Sequence, residues 1–218
     1  NIMKKLFFFI PFLLSLNLFS QDKTLDISPV YQETQVWCWV SVGEMIFKYY
    51  DVCCINPGGD YQCGIIALLG PACNNDCRNC IVPAGSSQVI QNMLREYPRY
   101  ARQVCGSNKY SVSSTIRYSK ASRELIIDEI DNDRPIIAGI SPSGGYGASP
   151  AHVALIIGYE ADNTNFILIV NDPFPYELFS SPDPYLTAGG EFIESGKYKI
   201  SYSDFTKLRW TQSFVNIK

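Results

Sequence analysis

The chain has 218 residues, 46% of them apolar and 18% charged, with a formal net charge of −3, so it can bury a sizeable core and has an ordinary globular composition. No basic cluster occurs anywhere, which removes the electrostatic footprint of a nucleic-acid binder. There is a single histidine, His152, so unperturbed side-chain acid–base chemistry near neutral pH falls to that residue alone.

The first element is a targeting segment. Lys4 and Lys5 form a short positive region, and an apolar run follows from Leu6 to Phe19. That run is shorter than the roughly 18–20 residues of a membrane span, and a polar switch follows at Ser20. Residues 1–20 are expected to be a cleaved signal peptide, the alternative being an uncleaved anchor, and residues 21–218 one catalytic domain. No cysteine stands at the junction, which disfavours a lipoprotein anchor. The expected localisation is secreted or periplasmic, with no stable membrane insertion after cleavage. Loss of Lys4 and Lys5 leaves 16 basic against 21 acidic side chains.

Export governs the reading of the eight cysteines. Cys53, Cys54, Cys63, Cys73, Cys77, Cys80 and Cys105 crowd one region, and in an oxidising compartment they form a disulfide framework. Zinc is the rival, because Cys73-x3-Cys77-x2-Cys80 has ligand-like spacing. Seven is odd, so one thiol stays free or pairs between molecules. Spacing alone leaves the pairing open.

Residues 22–36 read as a lead-in strand or loop. From Cys38 to Tyr50 the positions Val42, Met45, Ile46 and Tyr49 follow helical spacing. A second helix is expected near Cys63 to Leu69, and a cysteine-held loop from Pro71 to Gly85. A third helix starts at Ser86 or Ser87, with Val89, Ile90, Met93, Leu94 and Tyr97 on its apolar face, and Pro98 closes it. The period then changes. A strand is possible at Tyr110 to Tyr118; Ser122 caps a helix carrying Leu125, Ile126 and Ile130; Pro135 to Ile140 is an apolar strand. The loop Ser143-Gly144-Gly145-Tyr146-Gly147 leads to His152. Two strands, 152–159 and 166–171, are joined by a turn at Asp162-Asn163, and the tail alternates through 197–202 and 213–217. The picture is α+β: a helical, cysteine-rich lobe at about 36–105 packed on an antiparallel β-rich lobe at about 106–218.

Cys38 heads a helix, where partial positive charge favours a thiolate, and an imidazolium adds to that effect. His152 is the only imidazole available. A third group must orient it. A hairpin with a three- or five-residue loop centred on Asp162 puts 158 opposite 166 and 152 opposite 172. Asp172 then shares a sheet face with His152 and Asn171 faces away. A one-residue slip reverses the choice, so Asn171 stays open. An acyl-transfer site also needs oxyanion donors. Gln32, six positions before Cys38, and the Cys38 N–H are candidates, with Gln35 the other nearby amide.

Gln32, five intervening residues, then Cys38-Trp39 resemble the oxyanion glutamine and nucleophile signature of papain-like cysteine peptidases. His152 opening a strand that ends Gly158-Tyr159 is similar to that family's histidine strand, and the helix, Arg134-Pro135 and apolar strand over 122–140 resemble the segment before it. Asp172-Pro173 is more like the bacterial branches, including the double-glycine leader peptidases, than plant papain. The resemblance implies a papain-like fold, a peptide or protein substrate, Cys38 as nucleophile, His152 as general base and acid, Asp172 as orienter and Gln32 as oxyanion donor. It implies no metal and no organic cofactor. Gln35 stands where papain has a cysteine, and the 53–80 cysteine segment has no papain counterpart, though it resembles insertions in exported bacterial members and is expected to shape a wall of the cleft. Two other readings compete: an acyltransferase or transglutaminase-like thiol enzyme, and a catalytically silent binding domain of the same fold.

Overall fold

The computed structural model describes residues 21–73, 76–142, 151–178 and 182–218. The expected signal segment 1–20 and the glycine-rich loop 143–147 lie outside the described residues. Helices and one antiparallel sheet share a contiguous hydrophobic core.

In chain order the elements are β1 (Gln21–Thr24), α1 (Cys38–Tyr49), α2 (Tyr61–Ala67), α3 (Ser87–Cys105), β2 (Thr115–Arg117), α4 (Arg123–Asp131), β3 (Ile136–Ile140), β4 (His152–Ala161), β5 (Phe166–Asn171), α5 (Pro184–Ala188), β6 (Glu191–Glu194), β7 (Lys197–Ser201), α6 (Tyr202–Lys207) and β8 (Gln212–Val215). The sheet runs β2-β8-β3-β4-β5-β7-β6, and β1 pairs with the far half of β4. Strands β3, β4 and β5 are almost continuously buried, which is why they read as apolar runs rather than as alternating patterns. The chain thus has the α+β architecture of a papain-like fold.

Helix α1 is buried on nearly every side, from Trp39 through Phe47, more completely than a one-faced helical pattern implies. It packs on α2, α3 and β4. Gly43 makes the contact with α3 possible, because a Cβ there would sit 2.7 Å from Met93 Sδ. Gly158 plays the same part in the sheet: a Cβ would meet the Lys23 carbonyl oxygen of β1 at 2.7 Å.

Several sequence expectations need correction. Pro98 does not close α3 but lies buried inside it, and the helix runs on to Gly106 in the left-handed conformation. The 110–118 strand shrinks to Thr115–Arg117. The Pro71–Gly85 loop contains two short 3-10 turns, at Pro71–Cys73 and Cys77–Asn79. The β4–β5 turn spans residues 162–165, with Ala161 opposite Phe166, and β4 carries a bulge between Ile156 and Gly158. The assumed pairing of 158 with 166 and 152 with 172 is therefore wrong in register. Gly158 opposes Ile169, and beyond the bulge Leu155 opposes Asn171.

The cysteines pair as Cys53–Cys105, Cys63–Cys77 and Cys73–Cys80, leaving Cys38 and Cys54 free. The zinc reading of Cys73, Cys77 and Cys80 fails because all three sulfurs are spent in disulfides, two of them with each other and the third with Cys63 on α2. The odd thiol of the cluster is Cys54.

Candidate active site

Cys38 is the first residue of α1, with Trp37 at the cap position and no acidic side chain in the first turn. Its backbone N–H belongs to the group that has no intrahelical acceptor, and the positive end of the helix is not offset locally. The two flanking indoles fix this turn. Trp37 Nε1 donates to the Cys80 carbonyl at 3.1 Å and Trp39 Nε1 to the Val82 carbonyl at 3.3 Å. The disulfide-bonded segment is thereby fastened to the helix that carries Cys38.

His152 opens β4 and lies against α1. Its Nε2 is 2.7 Å from Asp172 Oδ1, with side-chain exposures of 12% and 0%. Cys38 lines the same cleft and its sulfur favours the imidazolium; with Nε2 taken by Asp172, Nδ1 is the ring nitrogen that the carboxylate leaves unengaged. Burial works against the imidazolium and is the largest single influence on it. The Asp172 charge, the hydrogen bond to Asp172 and the Cys38 sulfur together outweigh burial and raise the His152 pKa to about 10.

Asp172 follows β5 and is held from several sides. Its Oδ1 also accepts the Phe174 N–H at 2.8 Å, its Oδ2 accepts the Tyr185 hydroxyl at 2.8 Å, and its own N–H donates to the Gly196 carbonyl. Asn171 faces elsewhere: its Nδ2 donates to the Ile27 carbonyl at 2.8 Å. Of the two candidates, the one that reaches the imidazole is Asp172.

Gln32 is tied to the same region through its backbone, whose N–H donates to the Pro173 carbonyl at 2.9 Å. Its side-chain Nε2 donates to the Thr34 carbonyl at 2.8 Å, and its buried Oε1 has no hydrogen-bond partner among the described residues. Gln62, buried on α2, brackets this residue. It accepts from the Glu33 N–H, donates to the Tyr31 carbonyl and also bonds Glu44 of α1.

Cys38 and His152 share a cleft of about 280 Å³ with Gln35, Val36, Trp39, residues 83–87, Ile90, Ala151, Val153 and Gln212. Among the described residues, His152 and the thiol are the only ionisable side chains that line it. Gln35, the amide given second place from spacing, is exposed to this cleft, while Gln32 is not among its lining residues. Sequence reasoning missed Tyr185, Gln62 and the 83–87 wall. Each acts through a tertiary contact, and only the Asp183-Pro184 helix start near Tyr185 carries a local signal.

Comparison with known proteins agrees with the geometry. The family model described as Peptidase_C39 like family matches residues 24–187, which is about three quarters of the chain. No curated protein matches the chain. A half-buried imidazole held by a carboxylate and sharing a cleft with a helix-head thiol, in a chain matched over most of its length by that model, places this protein in the Peptidase_C39 like family, within the papain-like cysteine peptidase superfamily.

Proposed function

We propose that this protein is an exported cysteine peptidase that cleaves peptide bonds with Cys38, His152 and Asp172. The observation that carries the reading is the anchored imidazole: Nε2 held by Asp172 at 2.7 Å while His152 and the Cys38 thiol line one cleft. An imidazole that retains its proton beside a thiol at the head of a helix favours a thiolate–imidazolium pair.

The thiolate attacks the carbonyl carbon, forming the C–S bond as the C=O pair moves onto oxygen. The Cys38 N–H stabilises that oxyanion, and Gln32 is the proposed second donor, a role that requires its amide, which lies outside the cleft lining, to turn toward the sulfur. One Gln32 N–H is occupied by Thr34, and the other is the donor this role requires. The imidazolium gives its proton to the leaving nitrogen as the C–N bond breaks. The neutral imidazole then takes a proton from water, hydroxide oxygen attacks the thioester, and the C–S bond breaks to release the acid. Three disulfides suit an oxidising compartment. Among the described residues no helix is long and apolar enough to cross a membrane. The substrate is a peptide or protein.

The test is digestion of denatured protein and fluorogenic peptides by wild type, Cys38→Ala and His152→Ala. Both variants are expected to lose activity by at least about 10³-fold. A Cys38→Ala variant as active as wild type sinks the proposal. Adding amine acceptors and analysing products separates hydrolysis from acyl transfer, since amide products would favour the transferase reading.

A further inference from the structure

We infer that Tyr185 is a positioning residue of this site, acting on His152 through Asp172. The inference rests on the peptidase reading above. Tyr185 sits in α5, a short helix that follows β5 and Asp172 in the chain, and its ring is fully buried. Its hydroxyl donates to Asp172 Oδ2 at 2.8 Å, the carboxylate oxygen that does not meet the imidazole.

A carboxylate with one bonded oxygen can rotate about its Cβ–Cγ bond and present either oxygen at a range of angles. Here the rotation is blocked. The Phe174 N–H and the imidazole engage Oδ1, and the phenol engages Oδ2 from the other side. No water is needed to satisfy Oδ2, and Asp172 is 0% exposed. Removing the phenol would leave a buried carboxylate oxygen without a donor, the costly arrangement for a charged group.

Tyr185 is itself over-determined. Its ring stacks on Tyr198 with centroids 4.2 Å apart. The Tyr198 hydroxyl donates to Asp183 Oδ2, and Asp183 Oδ1 accepts the Tyr185 N–H as the cap of α5. Both oxygens of Asp183 therefore serve to hold the tyrosine that holds Asp172. Burial, and then the nearby Asp172 charge, push the Tyr185 phenol well above its ordinary range, so it remains a donor throughout the working pH. The chain has spent a helix cap, a ring stack and a second tyrosine on placing one hydroxyl against the far side of Asp172.

The experiment uses Tyr185→Phe, which keeps the ring and its stack and removes one oxygen. Tyr202→Phe is the control, because its hydroxyl bonds the Ala121 carbonyl at the same 2.8 Å with no link to Asp172. Three quantities are read: kcat and KM on a fluorogenic peptide, the pH profile of Cys38 alkylation by iodoacetamide, and the His152 imidazole titration by NMR. The NMR signal is unambiguous in a chain with one histidine. Tyr185→Phe is expected to lower kcat about 10- to 100-fold with KM within about twofold. It should shift the His152 midpoint and the alkylation profile by the same amount, while Tyr202→Phe moves neither. In an Asp172→Asn background the added effect of Tyr185→Phe should fall below about twofold, as coupling through one shared partner requires. If Tyr185→Phe lowers the melting temperature but leaves kcat and both pH profiles at wild-type values, the tyrosine is structural only and the inference is overturned. If wild type itself neither cleaves peptides nor alkylates at Cys38, it is the peptidase reading that fails. The imidazole titration still reads Tyr185 in that case.

Discussion

The Asp172 carboxylate meets the His152 imidazole at 2.7 Å, although the strand register past the Leu155–Asn171 pair puts Ala154, not His152, opposite Asp172. The contact is diagonal across β4 and β5. It depends on the bulge at Ile157. From the turn, Ala161 opposes Phe166 and Gly158 opposes Ile169. Carried on without interruption, that register would put Asn171 on the face of His152. The extra residue reverses the alternation, so Asp172 shares the face of His152 and Asn171 turns away toward Ile27.

The two neighbours should therefore fail differently. Asp172→Ala is expected to lower kcat/KM by at least about 100-fold, since it removes the group that orients the imidazole. Asn171→Ala should retain most activity but lose about 1–3 kcal/mol of stability, because the Ile27 carbonyl loses its buried donor. Peptide kinetics beside thermal melts check the pair, and an Asn171→Ala enzyme as inactive as Asp172→Ala would contradict the assignment.

The two free thiols should separate by pH. Burial raises the Cys54 pKa above its ordinary value of 9.0, outweighing the hydrogen bonds with Asn56 and Tyr97 that lower it, so little thiolate forms there near neutrality. Cys38 has the imidazole of His152 beside it. Iodoacetamide near neutral pH should spare Cys54, which reacts only in alkaline solution, and any label taken up at neutral pH should map to Cys38 in the cleft. Peptide mass mapping of the alkylated protein reads this directly.

The His152–Asp172 contact also predicts a direction for stability against pH. The imidazole has an ordinary pKa of 6.5 and a folded value of about 10. Below 6.5 both folded and unfolded chains hold the proton, and the full stabilisation is present. Between 6.5 and about 10 the unfolded chain has released it while the folded chain retains it, so stability falls across that window. Melting temperatures for wild type should decline from pH 6.5 toward 10 more steeply than those for Asp172→Asn. Equal slopes would show that the contact does not hold the charged imidazole.

Two disulfides should differ in what they protect. Cys53–Cys105 joins residues 52 apart, and its removal by paired serine substitutions should cost about 4 kcal/mol on loop-entropy grounds. Neither residue lines the cleft, so kcat/KM of the folded fraction should hold. Cys73–Cys80 spans only 7 residues, but Cys80 and Val82 carry the carbonyls that hold Trp37 and Trp39, and residues 83–87 form the cleft wall. Its paired serine variant should lose less stability and raise KM more. Denaturant titration and peptide kinetics on the two variants give the ranking.

Much of this architecture is local enough to read from the chain. The apolar run of β3, the Ser122 cap of α4, which accepts from the Leu125 N–H, and the helix that Cys38 heads all follow from patterns within about a dozen residues. The likeness to papain-like peptidases was visible for the same reason: glutamine, cysteine, histidine and aspartate stand in order, each beside its own local signal. Pro98 misled because a proline in a helix interior usually breaks it, whereas packing of the α3 face through Ile90, Met93, Leu94, Tyr97 and Ala101 overrides the missing N–H. The cysteines announced a framework but not its pairing, because sulfur pairing depends on distances that loops set.

The sequence by itself determined the fold class, the one available imidazole and the helix-head thiol, since composition and short-range periodicity specify which elements form. The tertiary structure alone decided that Asp172 and not Asn171 meets His152, that Cys54 is the odd thiol, and that a tyrosine in α5 grips the far oxygen of Asp172. Each of those outcomes turns on a register, a loop closure or a contact between distant segments. Such relations arise only when the whole chain packs, because a single bulged residue at Ile157 reverses which side of a strand faces the site.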